Sequence, residues 1–362
     1  MTVCAVIAEY NPMHRGHLYH LEQTKALLGR DARLIAVMSS HTVQRGEFPI
    51  LTKTARTRMV LEAGFDLVFE LPAPHACATA ERFARAAVGI VARLGAVTHL
   101  SFGSETGDMA ELQDLSFLSP ENIPRGMPNN VLAIEYLRAL REMAPGVVPV
   151  AVKRRGGPHD GPRGSASAIR KRILQTGRVP LGVPFAHIWR EELKAGRAPI
   201  SIVRQEGAML SVLRRMTAAD FWALPDVGGG GLAQRLFHAA GQAGSLEELY
   251  RQAKTKRYTL ARIRRCFLAA FLGLSEEAAT APPHLRLLGV GERGADVLKH
   301  IHTPVISRPA AHKDALAAES AVTDQLSLCM PKPEAAGLEW RSGVVTPPPF
   351  PAGGPHFVKT PY

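Results

Sequence analysis

Short apolar runs alternate with helix-like segments along the first half of the chain. Continuous apolar runs are typical of strands buried on both faces, and they occur at Val3–Ala8, 34–38, 66–71, 97–102 and 147–152. Between them, apolar residues recur at helical spacing and stop at Gly or Pro, which predicts helices at 16–28, 54–63, 79–94 and 131–143. Strands that alternate with helices favour a parallel sheet with right-handed crossovers.

The second half of the chain has a different pattern. From residue 165 onward we expect no further strand but helices at 167–174 and Leu260–Leu272, and a capping pair, Ser245 and Glu248, at the start of another. We therefore predict an α/β fold, with a Rossmann-like parallel-sheet domain over 1–180 and a helical, basic domain over 181–300. The Pro- and Gly-rich stretch 346–355 predicts a poorly ordered tail over 301–362, because such a segment buries little apolar surface.

Composition adds an argument about partners. The 362 residues include 44 Lys and Arg against 32 Asp and Glu, which gives a formal net charge of +12. This excess favours a polyanion such as RNA, DNA or a membrane surface, although a solvated basic surface would give the same count. The cysteines, at positions 4, 77, 266 and 329, lack the spacing of zinc ligands, so we predict no metal site from them.

Two features bear on the compartment. The chain opens without a charged leader, and its longest apolar runs are well below the roughly 18 residues that a transmembrane helix needs. The scattered cysteines fit a reducing environment. We therefore expect a cytoplasmic protein with no membrane partner.

The first candidate site is the segment 9–17, where the first strand meets the first helix. His14 and His17 are three residues apart, so both imidazoles can address one bound group, and Gly16 between them allows a close backbone approach. A helix N-terminus at the carboxyl end of a strand favours a phosphate, and an imidazolium would neutralise charge that develops between two phosphates. The alternative is a pair of exposed loop histidines.

A second candidate is the segment 165–170. Ser167 can cap a helix whose Ile169 and Ile173 face the core, and Arg170 in its first turn can hold a phosphate. The alternative is a solvated basic helix.

Candidate RNA contacts form a cluster near residue 260, in which an aromatic ring lies among cations: Lys254, Lys256, Arg257, Tyr258, Arg262, Arg264 and Arg265. The ring would stack on a base and the cations would follow phosphates. Residues 153–155 form a second basic patch, and Arg45 is a further candidate contact to phosphate or RNA. Each patch has a solubilising surface as its alternative. For Lys53, Arg56 and Arg58 we favour a solvated helix face, with RNA contact as the alternative.

The motif His14-Arg15-Gly16-His17 resembles the HxGH motif of the nucleotidyltransferase superfamily, whose Rossmann-like HUP domain splits ATP between the α- and β-phosphates. The segment ending in Ile169-Arg170 is similar to that superfamily's second phosphate-binding motif. Longer segments at 8–22, 38–51, 53–72, 102–105, 128–140 and 254–265 together resemble tRNA(Met) cytidine acetate ligases. This resemblance spans roughly residues 3–300.

The resemblance implies an enzyme that forms acetyl-adenylate from acetate and ATP, then acetylates N4 of the wobble cytidine of elongator tRNA(Met). It implies His14, His17 and Arg170 as catalytic residues. Mg²⁺ would accompany ATP, although no carboxylate cluster marks a metal site. The implied ATP site comprises Ile7, Ala8, Glu9, Tyr10, Asn11, Pro12, Met13, His14, Arg15, Gly16, His17, Leu18, Tyr19, His20, Gly103, Asn129, Asn130 and Arg170.

Some members of this set have a physical interpretation. Gly103 follows the predicted strand 97–102 and leaves room for a base or ribose. Asn130 either reads the nucleotide with its amide or caps the helix that begins at residue 131, and Glu105 faces either the site or solvent. The chain departs from the family pattern in a shortened segment at 106–127, in Met13 and Arg15 where the family has Phe and Asn, and in its tail.

Two alternative functions remain at this stage. One is an adenylyltransferase of the same fold that acts on a small substrate, which the basic second half argues against. The other is a non-catalytic RNA-binding relative, which the intact histidine motif argues against.

Overall fold

The computed structural model describes residues 1–119, 122–124, 126–154, 165–229 and 231–336. Its strands are β1 (Val3–Ala8), β2 (Arg33–Ser39), β3 (Leu67–Leu71), β4 (His99–Ser104), β5 (Val148–Lys153) and β6 (Leu287–Val290). Its α-helices are α1 (Arg15–Leu28), α2 (Lys53–Glu62), α3 (Ala73–Ala76), α4 (Ala80–Leu94), α5 (Met109–Leu115), α6 (Pro128–Met143), α7 (Ala166–Thr176), α8 (Ala186–Ala195), α9 (Glu206–Arg215), α10 (Ala218–Trp222), α11 (Leu232–Gln242), α12 (Leu246–Ala253), α13 (Leu260–Leu272), α14 (Glu276–Thr280), α15 (Gly294–Leu298) and α16 (Ala317–Ser327).

The strands form one sheet in the order β5-β4-β1-β2-β3-β6. The first five strands are parallel, and each lies within two residues of its predicted position, so the parallel α/β fold is confirmed. The expectation of no strand after residue 165 is wrong, because β6 pairs antiparallel with β3 at the sheet edge. Its four residues include a glycine, and so short a run shows no periodicity that sequence could reveal.

Helices cover both faces of the sheet, which explains why the strands are continuously apolar. In β1, Val3, Ala5 and Ile7 face the side covered by α4 and α6. Cys4 and Val6 face the side covered by α1, α2, α7 and α8. The histidine loop that follows β1 is therefore anchored by a strand buried on both faces.

A second core lies among helices α9 to α13 and α16. It includes Phe221, Leu236 and Phe267, and Ser245 caps α12 as predicted by accepting a hydrogen bond from the Glu248 amide at 3.2 Å. The poorly ordered tail predicted from residue 301 is wrong for 301–336, because α16 buries Leu326 in this core. Residues 337–362, including 346–355, lie outside the described residues. A domain boundary near residue 180 stays a prediction.

Buried charges join α2, β3 and α16. Lys53, at the start of α2, is fully buried and pairs with Glu70 of β3 and, at 3.6 Å, with Glu319 of α16. Arg56 is also fully buried and donates to the carbonyl oxygens of Ser39 and Ser40. The expected solvated helix face is therefore wrong for Lys53 and Arg56, because both tie α2 to the strand ends.

Within the described ranges, no helix has both the length and the hydropathy that crossing a bilayer requires.

Candidate active site

The candidate site lies at the carboxyl edge of the sheet, between β1 and β4. The chain runs from β1 through β2 to β3 on one side and then returns to β4 on the other side of β1. This reversal opens a crevice above the strand ends, which is where open parallel sheets bind ligands. The histidine loop leaves β1 and enters the first turn of α1 at this crevice.

His14 and His17 cap α1 reciprocally. His14 Nδ1 accepts a hydrogen bond from the Gly16 amide at 3.0 Å, and His17 Nδ1 accepts one from the His14 amide at 3.2 Å. The two rings stack with their centroids 3.9 Å apart. A ring nitrogen that accepts a hydrogen bond carries no proton, so each neutral ring is protonated at Nε2. The pair therefore presents two N–H donors beside a helix N-terminus, an arrangement suited to phosphate.

Both rings are neutral in the ligand-free protein. Burial lowers the pKa of His14 to about 4, with smaller contributions from Arg154 and Arg170. Burial also holds the pKa of His17 well below its ordinary value, with His14 a lesser cause. This differs from the imidazolium ions expected from sequence, because pattern alone does not reveal how deeply the loop sits. The site therefore offers an anion two neutral imidazole N–H donors.

Gly16 is required by the position of the His14 ring. A Cβ at residue 16 would lie 2.8 Å from Cε1 of His14 and 3.0 Å from its Nδ1. Any side chain there would push the ring away from its cap. This explains the glycine between the histidines more specifically than general backbone freedom does.

Much of the segment Ile7–His20 shapes the loop from within. Tyr10 is buried and packs edge-on against His17, with ring centroids 5.1 Å apart. Asn11 Oδ1 accepts from the Ile50 amide at 2.9 Å, and Met13 is only 1% exposed. The methionine at this family position is therefore a core residue.

Three other predicted members of this segment also contact the protein itself. His20 Nε2 is 2.9 Å from Ser101 Oγ of β4, and burial lowers the pKa of His20 to about 4. Arg15 is exposed and donates from Nε to the Gly182 carbonyl at 3.2 Å. Leu18 is partly buried against the sheet face that α1 covers.

Arg170 reaches the histidine loop from α7. Its Nη1 donates to the Asn11 carbonyl at 2.6 Å, and its Nη2 lies 3.3 Å from Ser167 Oγ. Arg45, from the loop after β2, donates to the same hydroxyl at 3.2 Å. Ser165, two positions before the expected Ser167, caps α7 by accepting from the Ala168 amide. Ser167 is thereby left to hold the two guanidinium groups together at the crevice.

The ends of β4 and α6 are tied together through Glu105. Its Oε1 accepts from Nδ2 of Asn129 at 2.6 Å, and its Oε2 accepts from the Asn130 amide at 2.7 Å. Asn130 is buried, and its Oδ1 accepts from Ser104 Oγ at 2.8 Å and from the Glu105 amide at 2.9 Å. Glu105 therefore accepts hydrogen bonds at the N-terminus of α6, where the sequence offers Asn130 as a possible cap. The Asn130 side chain instead braces the end of β4, below the predicted nucleotide.

Arg154 is a site residue, although its sequence position indicates only a basic patch for RNA. It follows β5, and its Nη1 donates to Asn129 Oδ1 at 2.6 Å. Its Cγ would be 3.5 Å from a Cβ on Gly103, so it covers the glycine predicted to leave room for the nucleotide. Its charge contributes to the lowered pKa of His14 and His17, after burial. The sequence signal that could have placed Arg154 in the site is its position directly after the last parallel strand.

The loop Val43–Glu47, closed by a bridge between its first and last residues, connects the crevice to α13. The Gln44 amide donates to Glu9 Oε1 at 2.7 Å, and Arg265 Nη1 donates to the Gln44 carbonyl at 3.0 Å. Gly46 has φ +72, and a Cβ there would lie 2.3 Å from the Arg265 amide nitrogen. Only glycine allows the loop to lie this close to the helix.

The predicted RNA cluster divides into two parts. Lys254, Lys256 and Arg257 are exposed before α13, as a phosphate contact requires. Tyr258 is buried, so its ring has no face open for a base, in contrast to the expected stacking. Arg265 is buried and pairs with Asp226 at 2.6 Å, while Arg262 donates to the carbonyls of Asp226 and Val227. These interior contacts argue against a phosphate role for both arginines.

Of the second patch, Lys153 and Arg154 are exposed, and residue 155 lies outside the described residues.

Comparison with known proteins agrees with this geometry. The family model of the HIGH nucleotidyl transferases matches residues 1–125 and 118–339. The tRNA(Met) cytidine acetate ligase of Acetivibrio thermocellus is 34% identical over 83% of this chain and 86% of its own length. That of a Thermoanaerobacter species is 31% identical, over 94% and 98%.

Solved structures show the same fold. Apo TmcAL from Thermotoga maritima superposes with a TM-score of 0.86 at 26% identity, covering 97% of this chain and 99% of that one. TmcAL bound to α-thio ATP gives a TM-score of 0.85 with the same identity and coverage. The sheet, the histidine loop and these relatives together show that the chain belongs to the tRNA(Met) cytidine acetate ligase family of HIGH nucleotidyl transferases.

Proposed function

We propose that this protein is an ATP-dependent ligase that acetylates tRNA. Acetate attacks the α-phosphate of ATP to give acetyl-adenylate and pyrophosphate, and the acetyl group then passes to N4 of the wobble cytidine of elongator tRNA(Met). The observation that carries the proposal is the pair of Nε2–H donors that His14 and His17 hold at the N-terminus of α1. The named relatives support the choice of acetate and tRNA(Met). A tRNA substrate would place the reaction in the cytoplasm.

In the first step, the protein stabilises charge that moves onto the phosphates. As the bond between the α- and β-phosphates breaks, His14 and His17 donate to the phosphate oxygens, and the α1 dipole favours the same charge. Arg170 and Arg154 flank the pair and would hold the nucleotide and the departing pyrophosphate. Loss of one such donor typically costs about 10²–10³ in rate.

Mg²⁺ is proposed to arrive with ATP and not to occupy a site of the protein. No group of three or more His, Cys, Asp or Glu side chains in the described ranges is arranged to hold a metal ion. Magnesium keeps several waters and binds well to substrate phosphates.

The exposed cations before α13 are the proposed tRNA contact. Lys254, Lys256 and Arg257 lie on the helical half, and α13 is linked to the crevice through the loop Val43–Glu47. A tRNA bound there would meet a continuous protein surface leading to the nucleotide. A small-molecule acceptor would need no such surface, which disfavours an adenylyltransferase of metabolites.

The chemistry is tested by two assays on one protein sample. Acetate-dependent pyrophosphate release measures adenylation, and radiolabelled acetate in elongator tRNA(Met) measures transfer, with initiator tRNA(Met) for comparison. His17→Asn keeps an acceptor for the His14 amide but lacks the Nε2–H, so both signals should fall about 10²–10³-fold. His238→Ala, on the exposed face of α11, is the control and should keep both.

The outcomes separate the candidate functions. Pyrophosphate release without labelled tRNA would retain the adenylation half and refute the tRNA half. Release that does not require acetate would point to a different acyl or phosphate acceptor. Absence of ATP binding together with intact tRNA binding would identify a non-catalytic relative.

The RNA surface is tested by charge removal. Lys256→Ala with Arg257→Ala should weaken tRNA binding and reduce the slope of log K against log salt by about 1 per lost phosphate contact. Arg30→Ala with Lys299→Ala removes the same charge from exposed positions at the opposite edge of the sheet and serves as the control. Equal effects of the two double variants would show that the patch attracts tRNA only through the net charge of the protein and makes no specific phosphate contact.

A further inference from the structure

Glu9 is the first residue after β1, and its carboxylate is fixed on one side only. Oε1 accepts a hydrogen bond from the Gln44 amide at 2.7 Å. The backbone at Glu9 is also held, because its carbonyl accepts from Arg56 Nη1 at 3.0 Å. Within the described ranges no partner is recorded for Oε2, and the side chain is partly exposed. One oxygen therefore positions the group while the other remains an open acceptor at the crevice.

Two arginines lie near this carboxylate without pairing with it. Arg45 and Arg170 meet at Ser167 Oγ, and their charges act on Glu9 from across the crevice. The described side chains form no salt bridge with Glu9 within 4.0 Å. Burial raises the pKa of Glu9 despite the Gln44 hydrogen bond and the arginines. The group is thus a stronger proton acceptor than an ordinary surface carboxylate.

The two half-reactions differ in their need for a base. Acetate enters the first step as an anion, so no proton has to leave when its oxygen attacks the α-phosphate. The exocyclic amine of cytidine enters the second step with its protons, and the nitrogen must lose one as it becomes an amide. A general base is therefore needed in the transfer step and not in the adenylation step.

The histidines are poorly suited to this task. Nδ1 of His14 and of His17 already accepts a backbone amide, so the nitrogen that each ring turns to a ligand is protonated. Tyr10 is buried, and burial raises its pKa, which keeps its hydroxyl protonated. Oε2 of Glu9, which has no hydrogen-bond partner among the described residues, is an open acceptor in this loop.

We infer that Glu9 is the general base of acetyl transfer, an assignment that rests on the proposed function. The N4 lone pair of cytidine forms a bond to the acyl carbon of acetyl-adenylate, and the nitrogen passes one proton to Oε2 of Glu9. The bond between the acyl carbon and the phosphate oxygen breaks, and AMP leaves with the electron pair. Glu9 then releases its proton to solvent. The products are N4-acetylcytidine and AMP, and every atom is accounted for.

The test is Glu9→Gln, measured separately in each half-reaction. Glutamine keeps an Oε1 that can accept from the Gln44 amide, but it cannot take a proton. Acetate-dependent pyrophosphate release also reports any contact that Glu9 makes with ATP, so the test is the ratio of the two rates. Single-turnover transfer from bound adenylate should fall about 10²–10⁴-fold more than pyrophosphate release does. Glu62→Gln, at the end of α2 and half-exposed, is the control and should leave both unchanged.

A pH profile of the unmodified protein gives a second measurement that needs no variant. Transfer should rise with pH as Glu9 loses its proton and then level off, while adenylation should lack this rise. Glu9→Gln should flatten the transfer profile. The groups that act on Glu9 from neighbouring elements are Arg45, Glu47, Arg56, Cys77, Tyr136 and Arg170.

Each outcome decides the inference. An equal loss of adenylation and transfer in Glu9→Gln would show that the residue holds the nucleotide and would overturn the assignment. Undiminished transfer, or a wild-type transfer rate that does not rise with pH, would overturn it as well. An unmodified protein that shows neither half-reaction would refute the proposed function itself, which is a distinguishable result.

Discussion

Replacing Gly16 with alanine should separate catalysis from stability at the histidine loop. The new Cβ would lie 2.8 Å from Cε1 of His14, closer than real Cβ atoms approach, so the ring must move. Movement breaks the hydrogen bond between His14 Nδ1 and the residue 16 amide and disturbs the stack with His17. The backbone itself does not resist alanine at this position, because Gly16 does not have a positive φ.

The two energetic effects on folding oppose each other. Losing a helix cap costs about 0.5–2 kcal/mol, whereas replacing a helical glycine by alanine gains about 0.5–1 kcal/mol. The midpoint of thermal unfolding should therefore shift by only a few degrees. Catalysis has no such compensation, because a displaced N–H donor near developing charge costs about 10²–10³ in kcat.

The assay pairs acetate-dependent pyrophosphate release with thermal unfolding. The matched control is Gly207→Ala, since Gly207 is likewise the second residue of its helix, α9, and a Cβ there meets nothing within 4 Å. That variant should keep its rate and its midpoint. A rate for Gly16→Ala within about threefold of the unmodified protein would refute the role given to the His14 ring.

Three further results are expected. Glu319→Ala should lower the free energy of unfolding by about 3–5 kcal/mol, because it leaves Lys53 with a buried charge that is only partly paired, and Glu319→Gln should cost less; equal unfolding midpoints by calorimetry would contradict this. Stability should fall as pH drops from about 6.5 to 4, since the folded-state pKa of His14 is about 4 and the unfolded chain takes up the proton first; denaturant titrations should show a smaller fall in His14→Asn. Gly46→Ala should detach the loop from α13 through its clash with Arg265, lowering transfer to tRNA more than adenylation; equal losses in the two assays would contradict that.

The parallel sheet could be predicted because its strands are buried on both faces and therefore appear as unbroken apolar runs. β6 could not, because a four-residue strand containing a glycine carries no pattern and owes its place to pairing with β3. The burial of Lys53 and Arg56 could not be predicted for a related reason. A charged residue on a helix normally indicates solvent, and only tertiary structure reveals the partners that make burial affordable.

The site shows the same division between pattern and environment. The spacing of His14 and His17 indicated two rings acting together, which the reciprocal cap is consistent with. Their neutral state depends on burial, and burial is a property of the whole fold. From its sequence position, Asn130 can either contact the nucleotide or cap the helix. In the structure its side chain braces β4, and a different residue, Glu105, accepts the amide at the helix N-terminus.

The contacts of Glu319 and β6 set an order of events during synthesis. Glu319 bonds to Ser40 across 279 residues and to the Ala73 amide across 246, and β6 completes the sheet beside β3 some 220 residues after that strand. A ribosome must therefore release most of the polypeptide before the nucleotide-binding half completes its sheet edge and its buried lysine, already paired with Glu70, gains Glu319 as a second partner. Until then β3 is an unpaired edge strand of the nascent sheet. Chaperone capture and aggregation compete with folding in that state.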